Sequence, residues 1–266
     1  MFIRGANPHR WTPIGSTNAE KFGLELELLH SAGDDVVDTF QMPADLLPDA
    51  GYLAAVKYDG SVSGAEFVTQ PATVMAHRRN LPRLLAYLRT QGFTGGRDAG
   101  LHVHARRHDG NGELFSRKLA ALLLVSTGDW DTLQRTVMGR GGGRWAQSIP
   151  YTENSRFFNR LENTRSHLGR MGDDKYLRVN FQHQESYEFR QGHSSTRFSR
   201  VIVRIEFVAA VLRFLERVSV DRLSSMGNPS AEVVKFREWV QRHGRTAYPH
   251  LAEFLLATDA PDNPLE

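Results

Sequence analysis

The chain has 266 residues, of which 40% are hydrophobic and 24% charged, with a formal net charge of +3 and a pI near 9.3. These ordinary globular proportions suffice for a sizeable core, either in one large domain or in a core domain with a helical flank. Cysteine is absent, which excludes disulfides, thiolate zinc sites and cysteine nucleophiles and makes a reducing cytoplasm the expected home.

No apolar run approaches the ~20 residues needed to cross a bilayer, and the first residues, MFIRGANPHRW, lack the apolar stretch of a signal peptide. A soluble, unexported protein without a membrane partner is expected. The mildly basic balance suits an anionic partner such as a nucleotide. A nucleic-acid partner is not expected, because no clear face interleaves aromatic with basic residues.

In chain order, Phe22 to Leu29 alternates as a strand, with Phe22, Leu24, Leu26 and Leu28 on one face and Gly23, Glu25 and Glu27 on the other. Ala54 to Asp59 and Ala65 to Gln70 read as strands around the turn Asp59-Gly60-Ser61. Asn80 to Gln91 is expected as a helix, with Pro82 in its first turn and Leu81, Leu84, Leu85 and Leu88 buried. Gly100 to Arg107 is another alternating strand, and Leu114 to Val125 a buried helix. From Met138 to Lys175 strand signals are sparse, glycines and arginines are frequent, and Asn154 to Leu168 can be helical. Tyr176 to Gln182 and Ser186 to Gln191 then read as an antiparallel pair. Phe198 to Val218 carries the stripe Val201, Ile205, Val208, Leu212 and Leu215, and Asn228-Pro229 starts a further helix as N-cap and first residue.

The strands carry polar pairs at a spacing of two: Glu25 and Glu27, His102 and His104, Arg178 and Asn180, Glu188 and Arg190. That spacing puts both members of a pair on one face, and the residues between them are apolar. Glu66 adds a carboxylate from a further strand. Each pair alone fits an ordinary solvated face or an ion-pair row. All of them at matching parity in one sheet would bring Glu25, Glu27, Glu66 and Glu188 to one surface. Clustered carboxylates repel unless a cation neutralises them. Mg²⁺ does so with oxygen ligands, and arginine forks suit phosphate and carboxylate oxygens.

The successive blocks FGLELE (22–27), KYDGS (57–61) with GAEFVTQP (64–71), GLHVHARR (100–107), and RVN (178–180) leading to EFRQGHSS (188–195) resemble the amidoligase family. That family belongs with the glutamine synthetase and glutamate–cysteine ligase superfamily, and the resemblance covers roughly residues 20–215. It implies an α+β fold, a curved antiparallel sheet around a concave active site with helices on its outer face, like the glutamine synthetase catalytic domain. It implies an ATP-dependent ligase that phosphorylates a carboxylate and lets an amine displace the phosphate, with more than one Mg²⁺ ion.

By the same resemblance Glu25, Glu27, Glu66 and Glu188 match metal-binding carboxylates, Glu66 with a catalytic part as well, and His102 matches a histidine at the metal and phosphate site. Arg178 and Arg190 match catalytic arginines that hold phosphate and stabilise charge during transfer. Lys57, matched as a cofactor contact, and Asp59 are either a substrate-carboxylate contact and an amine contact or strand-end and turn chemistry. The loop after Arg190 reads Gln-Gly-His-Ser-Ser where the family pattern starts more apolar and closes on Thr, so His193 is expected to be local to substrate choice. The expected layout is one catalytic domain over 1–266, with a motif core at 20–215, a helical flank at 216–257 and a tail at 258–266.

GRGGGR (139–144) is no Walker motif and reads either as a linker or as a basic lid over ATP. Substrates on this reading are small-molecule, peptide or protein carboxylates and amines. Three rivals compete: a phosphotransferase like the guanidino kinases, a metal-dependent hydrolase or nuclease, and a non-catalytic binding module.

Overall fold

The computed structural model describes residues 13–15, 19–106, 119, 128–139, 146–147, 177–183, 185–218 and 229–258. The expected helix Leu114–Val125 (apart from buried Leu119), the arginine-rich stretch 140–175 apart from 146–147, and the tail after 258 lie outside the described residues.

Six strands form one open antiparallel sheet: β1 (Phe22–Leu29), β2 (Leu53–Lys57), β3 (Gly64–Thr69), β4 (Gly100–Arg106), β5 (Val179–Asn180) and β6 (Ser186–His193). Their order is β2-β3-β1-β4-β6-β5, so β1 and β4 are central and the sheet does not close into a barrel. With helices α1 (Val36–Thr39), α2 (Val74–Thr90), α3 (Gly128–Met138), α4 (Phe198–Arg217), α5 (Pro229–Ala247) and α6 (Pro249–Thr258), the fold is α+β. No helix among the described residues is long and apolar enough to cross a membrane.

Alternation in β1 decides which face the helices cover. Phe22, Leu24, Leu26 and Leu28 are all at most 3% exposed. The register aligns Leu26 with Phe67 and Leu101, Leu24 with Val103, and Val103 with Phe189. These side chains share one core with the α4 stripe of Val201, Ile205, Val208, Leu212 and Leu215. Helix α4 lies against β4, and α2, α3, α5 and α6 pack around α4.

Two expected elements change extent. Helix α2 begins at Val74, not Asn80: Thr73 caps it by accepting from the Ala76 N–H at 3.2 Å, so Pro82 falls in the helix interior. The first turns bury Ala76, His77 and Asn80 rather than large apolar groups, which is why the apolar stripe alone does not reveal them. The helix ends in a Schellman motif, with the Phe93 N–H bonded to the Leu88 carbonyl and Gly92 at φ +86°. The expected strand Tyr176–Gln182 is reduced to Val179–Asn180, while β6 runs two residues further than expected, to His193. The register between β4 and β6 slips between Leu101 and Val103, which opposes Arg190 and Gln191 to His102.

One buried carboxylate ties three helices together. Glu206 of α4 is fully buried and accepts from Arg78 of α2 at 2.7 and 2.9 Å. It is also bonded to His250 Nδ1 and to the Leu251 N–H of α6, each at 2.8 Å.

Candidate active site

The face of the sheet away from the helices carries the acidic and imidazole side chains, because each is one residue out of phase with the core positions. Across the strands, Lys57 stands opposite Glu66, Glu66 opposite Glu27, Glu25 opposite His102, His104 opposite Glu188, and Glu188 opposite Asn180. Glu27, Glu66, His102, Asn180 and Glu188 are each at most 5% exposed. Buried polar groups at this density require partners, and the partners are one another.

His102 is the hub. Its Nδ1 lies 3.4 Å from Glu25 Oε2 and 3.3 Å from Glu188 Oε1, and its Nε2 lies 3.6 Å from Glu27 Oε1. His104 Nε2 lies 3.5 Å from Glu25 Oε1. Glu188 also accepts from Asn180 Nδ2 at 2.8 Å, contacts His183 Nε2 at 2.9 Å and pairs with Arg190. At the far end Lys57 Nζ pairs with Glu66 Oε1 at 2.9 Å.

The charges bear on one another. Burial pushes the Glu66 carboxyl up, and the neighbouring Glu25 charge pushes it further, against the pull of Lys57. Burial acts on Glu25 in the same sense, but His102 and His104 outweigh it and hold that carboxyl far below its ordinary range. Glu188 is likewise held low against burial, by His183, His102, His104 and Arg190. Burial lowers the His104 pKa, yet Glu25 and Glu188 bring it above its ordinary value. Burial also opposes the charge of half-exposed Lys57, and Glu66, Glu25 and Asp59 more than restore it. Glu25 and Glu188 thus keep their charge through the imidazoles and Arg190, and Glu66 is the carboxyl discouraged from carrying its own.

A divalent cation suits the donor atoms gathered here. One ligand atom each from Glu25, His102 and Glu188 lie within 4.8 Å of one another, and two carboxylates with an imidazole are an ordinary donor set for such an ion. Glu27 is placed beside this triad by His102 and by the Gly100 N–H, which donates to its Oε2.

Six of the expected site residues, Glu25, Glu27, Glu66, His102, Glu188 and Arg190, meet on this face, with Lys57 at its edge. The side chain of Arg178 does not join them by any described contact. It is 2% exposed and paired with Asp131 of α3, while its carbonyl accepts from the Arg190 N–H at 2.9 Å. Asp59 closes the turn after Lys57 by accepting from the Ser61 N–H at 2.8 Å. His193 sits at the end of β6, and its carbonyl accepts from Arg204 of α4. Of the glycine-rich run only Gly139 is described. It bridges to Gly192 at φ +93°, and the reading of 139–144 as lid or linker otherwise falls outside the described residues. Sequence reasoning passed over His183, which stands in the loop between β5 and β6 where no periodicity marks a face.

No family model matches the chain, and no curated protein matches it. Among solved structures, a bifunctional glutathione synthetase from Pasteurella multocida is similar at 12% identity and a TM-score of 0.46, over 90% of this chain and 46% of that one. The chain thus spans about half the length of that structure.

Proposed function

We propose that this chain is an ATP- and Mg²⁺-dependent carboxylate–amine ligase with a glutamine synthetase-like catalytic sheet. It makes an amide or isopeptide bond through an acyl phosphate. The observation that carries the reading is the convergence of Glu25, Glu27, Glu66, His102 and Glu188 from four strands on one face, flanked by the cations of Lys57 and Arg190. The order of motifs along the chain supports the same reading.

Phosphoryl transfer needs positioning and electrostatic stabilisation more than covalent chemistry, and the face offers both. Glu25, His102 and Glu188 would hold one ion, with Glu27 and Glu66 available to another. Bound Mg²⁺ would supply neutralisation of the phosphate charge. Arg190, bonded to Glu188 and 18% exposed, can turn its fork to a phosphate oxygen. Lys57 at the edge can meet a substrate carboxylate or phosphate. Arg178, through its main-chain bond to Arg190, acts on this reading as a support for that arginine. The substrates would be a small-molecule, peptide or protein carboxylate and an amine, in the cytoplasm, with the whole chain serving as one catalytic unit.

The test is to incubate the protein with Mg·ATP and pools of carboxylates and amines and to follow ADP and phosphate release. Release that requires both substrates, and that falls by about 10²-fold or more in Glu27→Gln and Arg190→Ala, is the expected result. Release that needs a single phosphate acceptor would mean a phosphotransferase. No turnover and no Mg·ATP binding by calorimetry would overturn the ligase reading.

A further inference from the structure

The two oxygens of Glu188 have different partners. Oε1 stands 3.3 Å from His102 Nδ1, the same nitrogen that lies 3.4 Å from Glu25 Oε2, so it belongs to the triad, and Arg190 pairs with it. Oε2 is held elsewhere. Asn180 Nδ2 donates to it at 2.8 Å, and His183 Nε2 lies 2.9 Å from it. An ionised carboxylate can only accept, so His183 carries its hydrogen on Nε2. A carboxylate oxygen accepts along two lone-pair directions, and on Oε2 both are taken. The donors are held in turn. Asn180 is buried and its Oδ1 accepts from the Gln182 N–H at 2.9 Å, and the His183 ring stands edge to face with His104, 5.3 Å between centres.

We propose that Asn180 and His183 are positioning residues that confine Glu188 to one ligand oxygen, and that this clamp makes the Glu25–His102–Glu188 position select Mg²⁺ over Ca²⁺. The argument lies in the shells of the two ions. Ca²⁺ takes roughly six to eight oxygens in a flexible arrangement and readily accepts both oxygens of one carboxylate, whereas Mg²⁺ demands near-octahedral geometry at about 2.1 Å and keeps several waters. A Glu188 free to turn would offer Oε1 and Oε2 together and supply the extra ligand that suits Ca²⁺. With Oε2 held by two N–H groups, Oε1 alone can bind, which suits the smaller ion and leaves places for water or phosphate oxygens. The selectivity thus lies outside the ligands, in β5 and the loop that follows it. His183 is the part of the clamp open to clean substitution, because its side chain is 46% exposed and takes no part in the core.

The inference rests on the cation-binding part of the proposed function and not on its ligase chemistry. Its test uses the whole metal-free chain without nucleotide. Mn²⁺ bound to the chain is followed by electron paramagnetic resonance and displaced with Mg²⁺ or with Ca²⁺, and Glu25→Gln identifies the signal of this position. The wild type should prefer Mg²⁺. His183→Ala should move the ratio of Ca²⁺ to Mg²⁺ affinity toward Ca²⁺ by about tenfold, the scale on which groups that orient metal ligands act. His183→Gln, whose amide nitrogen can take the place of Nε2, should restore the ratio, and both variants should melt like the wild type. Equal weakening of both ions in His183→Ala, with the ratio unchanged, would overturn the proposal, as would a wild type that prefers Ca²⁺. A shifted ratio with no turnover of Mg·ATP would keep the proposal and remove the ligase reading. Amide formation by the wild type with an unmoved ratio in His183→Ala would do the reverse.

Discussion

Gly100 donates its main-chain N–H to Glu27 Oε2 across the β1–β4 pair, and a Cβ at position 100 would stand 3.0 Å from that oxygen and 2.9 Å from His102 Nε2. Nothing larger than hydrogen fits between the strand and the two side chains it positions. Gly100→Ala should therefore displace the Glu27 carboxylate and the His102 ring while leaving the apolar face of β4 intact. Divalent-cation affinity should fall by about 10–100-fold, the usual effect of losing a group that orients metal ligands. Calorimetric titration with Mg²⁺ or Mn²⁺ reads the first effect. A thermal melt within a few degrees of the wild type shows that the fold has not been lost.

His77 should make stability fall in acid. Its ring is fully buried, with Nε2 2.8 Å from the Phe22 carbonyl and Nδ1 2.6 Å from the Tyr52 hydroxyl. The carbonyl can only accept, so Nε2 carries the hydrogen and Nδ1 accepts from Tyr52. A proton on Nδ1 would put a charge in the core and break that bond, and burial lowers the pKa to about 4. The unfolded chain, with an ordinary histidine, takes up the proton first as pH falls. The contribution is thus complete above about pH 6.5, lost progressively below it and exhausted near pH 4, in total about 3 kcal/mol. Between pH 7 and 4 the stability of the wild type, from denaturant melts, should fall relative to that of His77→Gln by this amount. Parallel profiles would mean that His77 does not titrate as its surroundings require.

How much of this could be read from the sequence depended on period. Strand β1 was legible because its alternation is strict. The pairs Glu25–Glu27 and His102–His104 were legible because a strand gives residues two apart the same face. Legibility ends where the chain leaves that period. The irregularity opposite His102 makes Gln191 a buried residue and ends the parity argument at Arg190. Near β5 the strand lasts two residues, so Asn180 reaches Glu188 while Arg178 is paired with Asp131 instead of sharing the row. Pro82 was placed by local preference at a helix start, but the cap at Thr73 and the packing of Ala76 and His77 override it. His183 had no pattern to announce it, and the role of Gly100 exists only once β1 and β4 are in register.

The pair between Arg178 and Asp131 predicts strong coupling. Both side chains are nearly inaccessible, at 2% and 6% exposure, and burial lowers the arginine's pKa while Asp131 supports its charge. Removing Asp131 strands the buried Arg178 guanidinium and should cost about 3–5 kcal/mol, whereas removing Arg178 leaves Asp131 its pair with Arg135 and should cost less. Arg178→Met with Asp131→Leu should cost clearly less than the sum of the single changes, by about 1–3 kcal/mol. Urea melts of the four proteins in the cycle measure this directly. Additive losses would show that Arg178 and Asp131 do not support each other and that Arg135 alone holds the carboxylate.

Glu206 should be the most sensitive single position among the helices, because one carboxylate serves α2, α4 and α6 together. Oε1 takes Nε and Nη2 of Arg78 and faces His250, and Oε2 takes the Leu251 N–H in the first turn of α6. Arg78 also donates to the Ala247 carbonyl at 2.6 Å, at the end of α5. Glu206→Ala removes four bonded contacts and leaves the Arg78 guanidinium, 15% exposed, without its counter-charge. The expected loss is about 3–5 kcal/mol. Glu206→Gln keeps an acceptor for Arg78 or for Leu251 but no charge, and should lose about 1–3 kcal/mol. Amide exchange should locate the damage: protection in α6 falls before that in β1 or β4, because the described hydrogen bonds of this carboxylate go to α2 and α6. Uniform loss of protection across the sheet would show instead that Glu206 supports the whole core rather than the docking of α6.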